Sequence, residues 1–407
     1  MTITLEDLDY LTSDLGAAVL GRLAGENLAE ENTLKLLTAL RRETTPQQAG
    51  AALELARLRQ KAVSKFGTDA AKMYFTREAL EQASDPSIRR VRAESFKRYR
   101  RIIDACCSIG ADALAFAQAG AAEVLGLDID PVRVAMAQLN AAALGITNAR
   151  FEVADVRAGV PQADLIFFDP ARRDEQGKRI FDVERYEPPL STIRGWEARC
   201  ILVKLSPGVQ LAQLEPYGGR VEFISVRGDL KEAVLTVDDE KRASQHCAVL
   251  LGDNAMYPKI GELGGWCHDP LLPKEAPISE PRGWLVEPDP AIIRAGLVAD
   301  LALELGGALL DPEIAYITTD EAQHSPWVRA WEIIDWMPFN VKKLRAYLRE
   351  QDVGTVTVKK RGTAVTPEEL IAKLKLNGSG SRTIVLTRCR GEQIMMICRD
   401  LMTTQGG

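Results

Sequence analysis

The sequence has few of the residues from which metal sites and Ser-His-Asp triads are built. Its 407 residues contain three histidines, none of which is paired with another at helical spacing. Its seven cysteines lack the CxxC spacing of metal ligands, and most lie in apolar runs such as ARCILVKL. We therefore expect no metal site and no triad, and we expect the cysteines to be buried, reduced thiols.

The chain also lacks a long apolar run and a signal-like N-terminus. No apolar stretch reaches the length of a bilayer span, and the first residues, MTITLEDLDYLTSD, are acidic and polar. These features predict a cytoplasmic protein without a membrane partner. The net charge of −6 argues against binding of a polyanion by the whole surface, although it allows a local basic face.

The length and the hydrophobic pattern predict two or three domains. Apolar residues at three- and four-residue spacing predict an N-terminal helical region over 1–100. Over 101–253, short apolar runs alternate with helical segments, which predicts a Rossmann-like α/β fold, a mostly parallel sheet ending in an antiparallel hairpin. Residues 254–288, rich in glycine and proline, indicate a linker or lid, and residues 289–407 indicate a small α+β domain.

The segment DACCSIGADALAFA, residues 104–117, is typical of a strand that turns into a helix through small residues. It lacks both GxGxxG and GK(S/T), so it is not a phosphate-binding loop. Acidic residues follow the next three strands, namely Asp128, Asp155 and Asp169. Because ligands of open α/β sheets bind at the carboxyl ends of strands, this order favours a nucleoside with a cationic tail. Asp128 is placed to meet ribose hydroxyls and Asp155 an adenine amino group; each acid taken alone is equally typical of a helix cap.

These motifs resemble those of class I S-adenosylmethionine-dependent methyltransferases. Asp104 and Gly110 match the first motif, Asp128 the second, Asp155 the third and the segment DPAR the fourth. Within that superfamily, CSIG, DIDP, KMYFTREAL and RIFDVERYEPPL are similar to segments of the trimethylguanosine-synthase type. The chain departs from that type by Ser108 in place of a glycine, by Thr76-Arg77-Glu78 in place of Thr-Pro-Glu, and by Ala171-Arg172 in place of Pro-Trp. The last departure removes the stacking tryptophan on which cap-guanosine specificity depends.

The resemblance implies S-adenosyl-L-methionine as the cofactor. The residues that we expect to bind it are Phe75, Thr76, Asp104, Cys106, Gly110, Asp112, Asp128, Ile129, Asp155, Val156 and Asp169. The whole chain resembles bacterial methyltransferases with a C-terminal THUMP-like domain. Because THUMP domains bind structured RNA, this resemblance implies RNA as a partner.

The segment DPAR also predicts how the methyl acceptor is held. Methylation of an exocyclic amine needs an acceptor for the amine hydrogens, so we predict Asp169, Pro170 and Arg172 as catalytic residues. We predict Arg173 and Lys204 as substrate contacts, although Lys204 is equally compatible with a structural role. In an alternative interpretation, Asp169-Pro170 is a turn and the arginines pair with Asp174 and Glu175. A nucleophilic cysteine, as in carbon-5 uridine methyltransferases, is disfavoured because Cys247 and Cys267 lack a local signature.

Basic residues in the predicted C-terminal domain suggest a surface for nucleic acid. Lys359, Lys360 and Arg361 are our predicted RNA contacts, accompanied by the segment KKLR at 342–345 and by Lys373 and Lys375. Such residues also commonly form a solvated face. The function favoured by the sequence is methylation of a base amino group in structured RNA. The alternatives are a methyltransferase for a small molecule or a protein, and a non-catalytic RNA-binding protein with a residual cofactor site.

Overall fold

The computed structural model describes residues 3–173, 176–238, 245–252, 266–268 and 274–399. The described residues fall into two compact units. The first comprises those of Met1–Val226, Lys231–Ser244 and Leu251–Gly265; the second comprises those of Arg227–Leu230, Gln245–Leu250 and Trp266–Gly407. No helix among the described residues is both long and apolar enough to cross a membrane.

The first unit begins with helices, as predicted for residues 1–100. They are α1 (Leu5–Thr12), α2 (Asp14–Leu23), α3 (Thr33–Leu40), α4 (Pro46–Phe66), α5 (Arg77–Gln82) and α6 (Pro86–Ser95). Helix α4 begins with a capping box in which the Thr45 hydroxyl accepts the Gln48 N–H and the Gln48 side chain accepts the Thr45 N–H. The helical region belongs to the same compact unit as the sheet that follows it.

The sheet of the first unit is the Rossmann-like α/β sheet expected from the sequence. Its strands are β1 (Arg101–Ala105), β2 (Glu123–Asp128), β3 (Ala149–Val153), β4 (Ala163–Phe168), β5 (Ala198–Leu205), β6 (Arg220–Val226) and β7 (Asp229–Asp238). Helices α7 (Ala111–Gln118) and α8 (Pro131–Ala143) connect the first three strands. The spatial order is β3-β2-β1-β4-β5-β7-β6. Strands β1 to β5 run parallel and β7 runs antiparallel to β5, which confirms the predicted antiparallel end.

The central strands are closely packed, and their carboxyl ends are in register. In β2, a Cβ atom on Gly126 would lie 2.4 Å from the Phe151 ring of β3, so only glycine fits there. Ala105 of β1 pairs with Leu127 of β2 and with Phe168 of β4. The residues that follow these strands therefore share one edge of the sheet.

The second unit is a mixed α+β structure, as predicted for residues 289–407. Its strands are β8 (Gln245–Leu251), β9 (Trp266–His268), β10 (Trp284–Pro288), β11 (Ala308–Asp311), β12 (Ile314–Thr319), β13 (Val328–Pro338), β14 (Val353–Lys360), β15 (Gly380–Cys389) and β16 (Glu392–Cys398). Its helices are α9 (Pro290–Arg294), α10 (Val298–Glu304), α11 (Val341–Glu350) and α12 (Pro367–Leu374). Seven strands form a sheet in the order β11-β12-β10-β13-β16-β15-β14, in which β14 and β15 are parallel. Leu344 and Leu348 of α11 and Leu370 and Leu374 of α12 pack in one apolar core with Ile384 and Ile397 of that sheet.

The structure changes two expectations for this part of the chain. Within the predicted linker or lid, 266–268 and 284–288 are strands, while 254–265 and 269–273 lie outside the described residues. The expectation of reduced thiols is wrong for Cys247 and Cys267, which form a disulfide. They are directly opposed in the antiparallel pair β8·β9, with Cα atoms 4.1 Å apart, and this register is invisible in the spacing of the cysteines.

Candidate active site

The turn after β1 is narrow because its backbone adopts left-handed conformations. Cys106, Ser108 and Gly110 have φ angles of 67°, 51° and 82°. A Cβ atom on Gly110 would lie 3.0 Å from the Phe151 ring, so the glycine is required by space as well as by conformation. Asp104 accepts a hydrogen bond at 2.9 Å from the N–H of Ala113, in the first turn of α7. Burial raises the pKa of Asp104 well above its ordinary value, and the negative charges of Asp112 and Asp169 raise it further.

Asp128 lies immediately beyond this turn, at the end of β2. Its carboxylate accepts hydrogen bonds from the N–H of Ser108 at 2.8 Å and from the N–H of Asp130 at 3.0 Å. Burial raises the pKa of Asp128, and these two hydrogen bonds oppose that shift. The next residue, Ile129, is 60% exposed, and the buried Ser108 hydroxyl has no hydrogen-bond partner among the described residues. The strand end thus offers an anionic acceptor, an unused hydroxyl and an apolar side chain.

Asp155 follows β3 and is engaged by a neighbouring arginine. It caps the short 3-10 helix Val156–Ala158 and accepts hydrogen bonds from Arg157 Nε at 2.9 Å and Nη2 at 2.8 Å. Hydrogen bonds from Arg157 lower the pKa of Asp155. Val156 is buried. An adenine amino group would have to share Asp155 with Arg157, so contacts of Asp155 and Val156 with the cofactor stay predictions.

Asp169 follows β4 at the same edge, and a buried lysine supports it. Its carboxylate contacts Lys204 Nζ at 2.7 Å and Arg172 Nη2 at 3.5 Å. The Lys204 side chain is 4% exposed and also donates a hydrogen bond to the carbonyl of Gln82 at 3.2 Å. The Asp169 side chain is 22% exposed, so it is accessible while Lys204 lies behind it. Lys204 therefore contacts the predicted catalytic carboxylate, and its predicted contact with substrate stays a prediction.

The rest of the segment DPAR is held by backbone pairing. Pro170 is buried, and Ala171 exchanges two backbone hydrogen bonds with Glu187, at 2.8 and 3.0 Å. Arg173 donates a side-chain hydrogen bond to the carbonyl of Gly177 at 3.2 Å. Asp174 and Glu175, the partners in the alternative interpretation, lie outside the described residues. Arg172 is thus the arginine of this segment that contacts Asp169.

Three of the predicted cofactor residues have contacts of a structural kind. Asp112 accepts hydrogen bonds from Arg92 and, at 3.0 Å, from the Ser84 hydroxyl. Phe75 is fully buried with its ring centroid 5.3 Å from that of Phe66, and Thr76 caps α5. These contacts account for Asp112, Phe75 and Thr76 without a ligand, so their cofactor roles stay predictions.

Cys106 and Cys107 have the properties of packing residues. Burial raises the pKa of both thiols well above the ordinary value, and nearby aspartates raise it further. Because the thiolate is the reactive form, neither side chain is prepared to act as a nucleophile. A cofactor contact of Cys106 stays a prediction.

Sequence reasoning missed Asn140, a fully buried residue of α8. Its side-chain Oδ1 accepts the N–H of Tyr74 at 2.7 Å, and its Nδ2 donates to the carbonyls of Tyr74 and Ile109, both at 3.1 Å. Asn140 therefore ties the segment before α5 to the turn after β1. An asparagine on the apolar face of a predicted helix is a signal that the sequence offers, because a buried side-chain amide requires hydrogen-bond partners.

Comparison with known proteins identifies the family. Family models described as a methyltransferase domain, a THUMP domain-like region and a domain of unknown function match residues 102–169, 328–400 and 4–62. An uncharacterised S-adenosylmethionine-dependent methyltransferase of Mycobacterium tuberculosis is 34% identical over 345 residues, which cover 83% of this chain and 92% of that protein. The chain belongs to the S-adenosylmethionine-dependent methyltransferases.

Two further similarities concern the fold and a short segment of this methyltransferase. A solved structure from Porphyromonas gingivalis W83, described as that of a candidate methyltransferase, has a TM-score of 0.73 at 19% identity and covers 94% of this chain and 97% of its own. At that identity it shows the fold alone. An uncharacterised RNA methyltransferase of Streptococcus pyogenes is 35% identical over 94 residues, 21% of each chain.

The residues at the strand ends fit S-adenosylmethionine, the cofactor of the family. The Asp128 carboxylate is of the kind that would accept hydrogen bonds from ribose hydroxyls, a role that stays a prediction, and Ile129 beside it is exposed. The unpartnered Ser108 hydroxyl, in the turn that Asp128 braces, adds an unused donor and acceptor. When bound, the cofactor supplies an electrophilic methyl group on a sulfonium sulfur.

We expect Asp128→Ala to weaken S-adenosylmethionine binding tenfold or more, because a hydrogen bond to a charged acceptor contributes about 1.5–3 kcal/mol. Titration calorimetry checks the affinity, and circular dichroism checks the fold, since Asp128 also braces the turn through Ser108. Asp128→Asn is the matched control, because it keeps one acceptor oxygen and should lose less. Unchanged affinity in a folded Asp128→Ala protein would exclude the ribose role.

Proposed function

We propose that this methyltransferase modifies a base amino group of structured RNA, with Asp169 as the acceptor for the amine hydrogens. One observation carries the amine assignment: the Asp169 carboxylate is accessible at the strand edge while buried Lys204 holds it from behind. A carboxylate has about four lone-pair positions, so contacts with Lys204 and Arg172 leave acceptor capacity for a substrate N–H. Proline at position 170 fixes the backbone beside it.

In the proposed step, Asp169 orients the amine so that its nitrogen lone pair faces the methyl carbon. The nitrogen forms the new bond while the carbon–sulfur bond breaks, and the bonding electrons leave with the sulfur. The nitrogen then releases a proton to Asp169 or to water. Positioning of this kind supplies about 7–11 kcal/mol of the barrier reduction in well-oriented reactions.

The RNA assignment is supported by the second unit. Its residues 328–400 match a THUMP domain-like family, and a relative in Streptococcus pyogenes is named an RNA methyltransferase. Helices α11 and α12 lie side by side in this unit, because their leucines share one apolar core. Arg349 Nη2 also donates at 2.8 Å to the carbonyl of Lys375, which directly follows α12. We define their basic face as the exposed residues Lys342, Lys343, Arg349, Lys373 and Lys375.

Two of the three predicted RNA contacts at the end of β14 have partners inside the unit. Lys359 Nζ lies 2.6 Å from a Glu287 carboxylate oxygen and 4.2 Å from the Trp331 ring centroid. Arg361 lies 3.7 Å from Glu287 and donates to the carbonyl of Ala315. Lys360 is exposed. The basic face of α11 and α12 is therefore the better expected site for phosphate contacts, and RNA contacts by Lys359, Lys360 and Arg361 stay predictions.

Neutralising Lys342, Lys343 and Lys373 with glutamine should weaken RNA binding and flatten its salt dependence. Removing one lysine–phosphate interaction should reduce the slope of log K against log salt by about 0.7–0.9. Filter binding of total bacterial RNA over a salt series measures the slope, and calorimetry should show unchanged affinity for S-adenosylmethionine. Lys35→Gln, an exposed lysine of α3, is the control. If the triple variant keeps the parental slope of log K against log salt, these lysines are solvated and do not contact RNA.

The proposed function is tested by incubating the protein with methyl-labelled S-adenosylmethionine and total bacterial RNA. After digestion, we expect the label in a nucleoside methylated on an exocyclic amine. Label on a ring carbon would contradict the amine assignment. A parallel incubation replaces the RNA with a bacterial extract. Label found only in the proteins or small molecules of that extract would favour the alternative substrate classes.

A further inference from the structure

Phe181 is an aromatic side chain that the fold leaves in solvent. It is 52% exposed, and among the described residues it is the most exposed aromatic. Leaving a phenylalanine in water forgoes the free energy that its burial would contribute. A single exposed apolar residue is not unusual by itself, so the position of Phe181 relative to Asp169 decides whether it matters.

Backbone and ring contacts place Phe181 at the edge of the sheet that carries Asp169. The N–H of the preceding residue, Ile180, donates at 2.9 Å to the carbonyl of Arg172, the last residue of the segment DPAR that begins with Asp169. The ring lies beside Gly208, where an added Cβ atom would be 3.3 Å from Phe181 Cε1. Gly208 is four residues after Lys204, so the Cα atoms of these two residues are at most about 14 Å apart. Lys204 in turn contacts Asp169.

The segment that carries Phe181 is fixed on both sides. Asp182 caps a short 3-10 helix over Val183–Arg185, and the N–H of Val183 donates to the Gln213 side chain at 3.0 Å. Tyr186 is buried, and the Glu184 carboxylate accepts a hydrogen bond from Tyr217. Hydrogen bonds therefore hold the segment that carries the ring, and one side of the ring lies near Gly208.

We propose that Phe181 is the stacking platform for the base that Asp169 orients, an inference that rests on the proposed methylation of RNA. A flat aromatic face at the same edge of the sheet as a carboxylate acceptor matches a planar heterocycle that bears an amino group. The segment DPAR has Ala171 and Arg172 where the trimethylguanosine-synthase type has Pro-Trp, so it supplies no stacking aromatic of its own. Phe181 provides that face from nine residues after Arg172, and a stacked base must be single-stranded or flipped out of its helix.

The test compares Phe181→Ala, Phe181→Leu and Phe181→Trp in methylation of total bacterial RNA. Loss of base stacking should lower kcat/KM about 5- to 150-fold in the alanine variant, mainly through KM. Leucine keeps an apolar side chain without a π face and should also be impaired, whereas tryptophan should stay near the parent. Affinity for S-adenosylmethionine should be unchanged in all three. Leu34→Ala, at a 75% exposed position of α3, controls for removal of an exposed apolar side chain.

A second measurement separates this inference from the proposed function. Ultraviolet crosslinking of total bacterial RNA to the parent protein should yield an adduct in the peptide that contains Phe181, because crosslinking requires contact and not turnover. RNA methylation that is indifferent to the alanine or leucine change would overturn the role of Phe181 and leave the function standing. A Phe181 adduct without RNA methylation would support the platform and reject the function. Absence of both would reject both proposals.

Discussion

Asp169→Ala should nearly abolish methyl transfer and leave RNA binding nearly intact, whereas the affinity for S-adenosylmethionine should fall if Asp169 also contacts the cofactor. Removing a correctly placed acceptor for the reacting proton costs roughly 10²–10⁴-fold in rate, so we expect a loss of that size in kcat. Single-turnover assays with total bacterial RNA measure it, and calorimetry and filter binding measure the two affinities. The separation between methyl transfer and RNA binding is expected because Asp169, the proposed acceptor for the amine hydrogens, belongs to the first unit, whereas the basic face of α11 and α12 belongs to the second unit.

The Asp169→Ala experiment needs two controls because Asp169 also compensates a buried charge. Without the carboxylate, Lys204 keeps only its described hydrogen bond to the Gln82 carbonyl, so some stability will be lost. Asp169→Asn keeps an acceptor oxygen and should retain more activity than the alanine variant. Lys204→Met removes the buried charge while leaving Asp169, and it should be impaired less than Asp169→Ala. An alanine variant that is folded and turns over like the parent would exclude Asp169 from the chemistry.

Glu232→Ala should destabilise the fold by about 3–5 kcal/mol, because it leaves a buried arginine partly uncompensated. Arg92, with a side chain 1% exposed, forms ion pairs with Glu232 and Asp112, which are 3% and 9% exposed. Burial alone would lower the pKa of Arg92, but the charges of Glu232 and Asp112 raise it, so the guanidinium stays charged. Chemical denaturation monitored by circular dichroism measures the loss.

The control for Glu232→Ala is an ion pair on the surface. Arg22 and Glu43 have side chains 55% and 41% exposed, so Glu43→Ala should cost less than about 1 kcal/mol. Burial alone would raise the pKa of Asp112, but the charge of Arg92 outweighs it and lowers that pKa. The contribution of Asp112 is therefore fully present at neutral pH and is lost in acid as the pH falls through the lowered pKa. Equal losses in the free energy of unfolding from Glu232→Ala and Glu43→Ala would show that the buried ion pairs stabilise the fold no more than a surface ion pair does.

The sequence predicted the parts of the site that depend on local pattern. The acids at the ends of β2, β3 and β4 were found because the carboxyl ends of parallel strands share one edge, so strand order alone brings Asp128 and Asp169 to that edge. The sequence also predicted the α+β class of the second unit. Strands β9 and β10 were missed because they lie in a stretch rich in glycine and proline, which was predicted to be a linker or lid.

The parts that the sequence did not reveal depend on contacts between distant residues. Arg92 meets Glu232 across 140 positions, and Lys204 meets Asp169 across 35, so no local spacing signals either pair. The disulfide depends on the register of β8 and β9, which places Cys247 opposite Cys267. Phe75 was expected at the cofactor because of a resemblance, whereas its full burial beside Phe66 depends on how α4 packs.

The hydrogen bonds of Asn140 and the ion pairs of Arg92 join the part of the chain matched as a methyltransferase domain to residues that precede it. The methyltransferase model begins at residue 102, yet a fragment cut there would lose Tyr74 and Arg92. It would bury Asp112 and Glu232 without their cation and leave part of the Asn140 amide unsatisfied. The N-terminal helices are thus a constituent of the catalytic domain, and a transplantable methyltransferase module from this chain would have to begin well before residue 102.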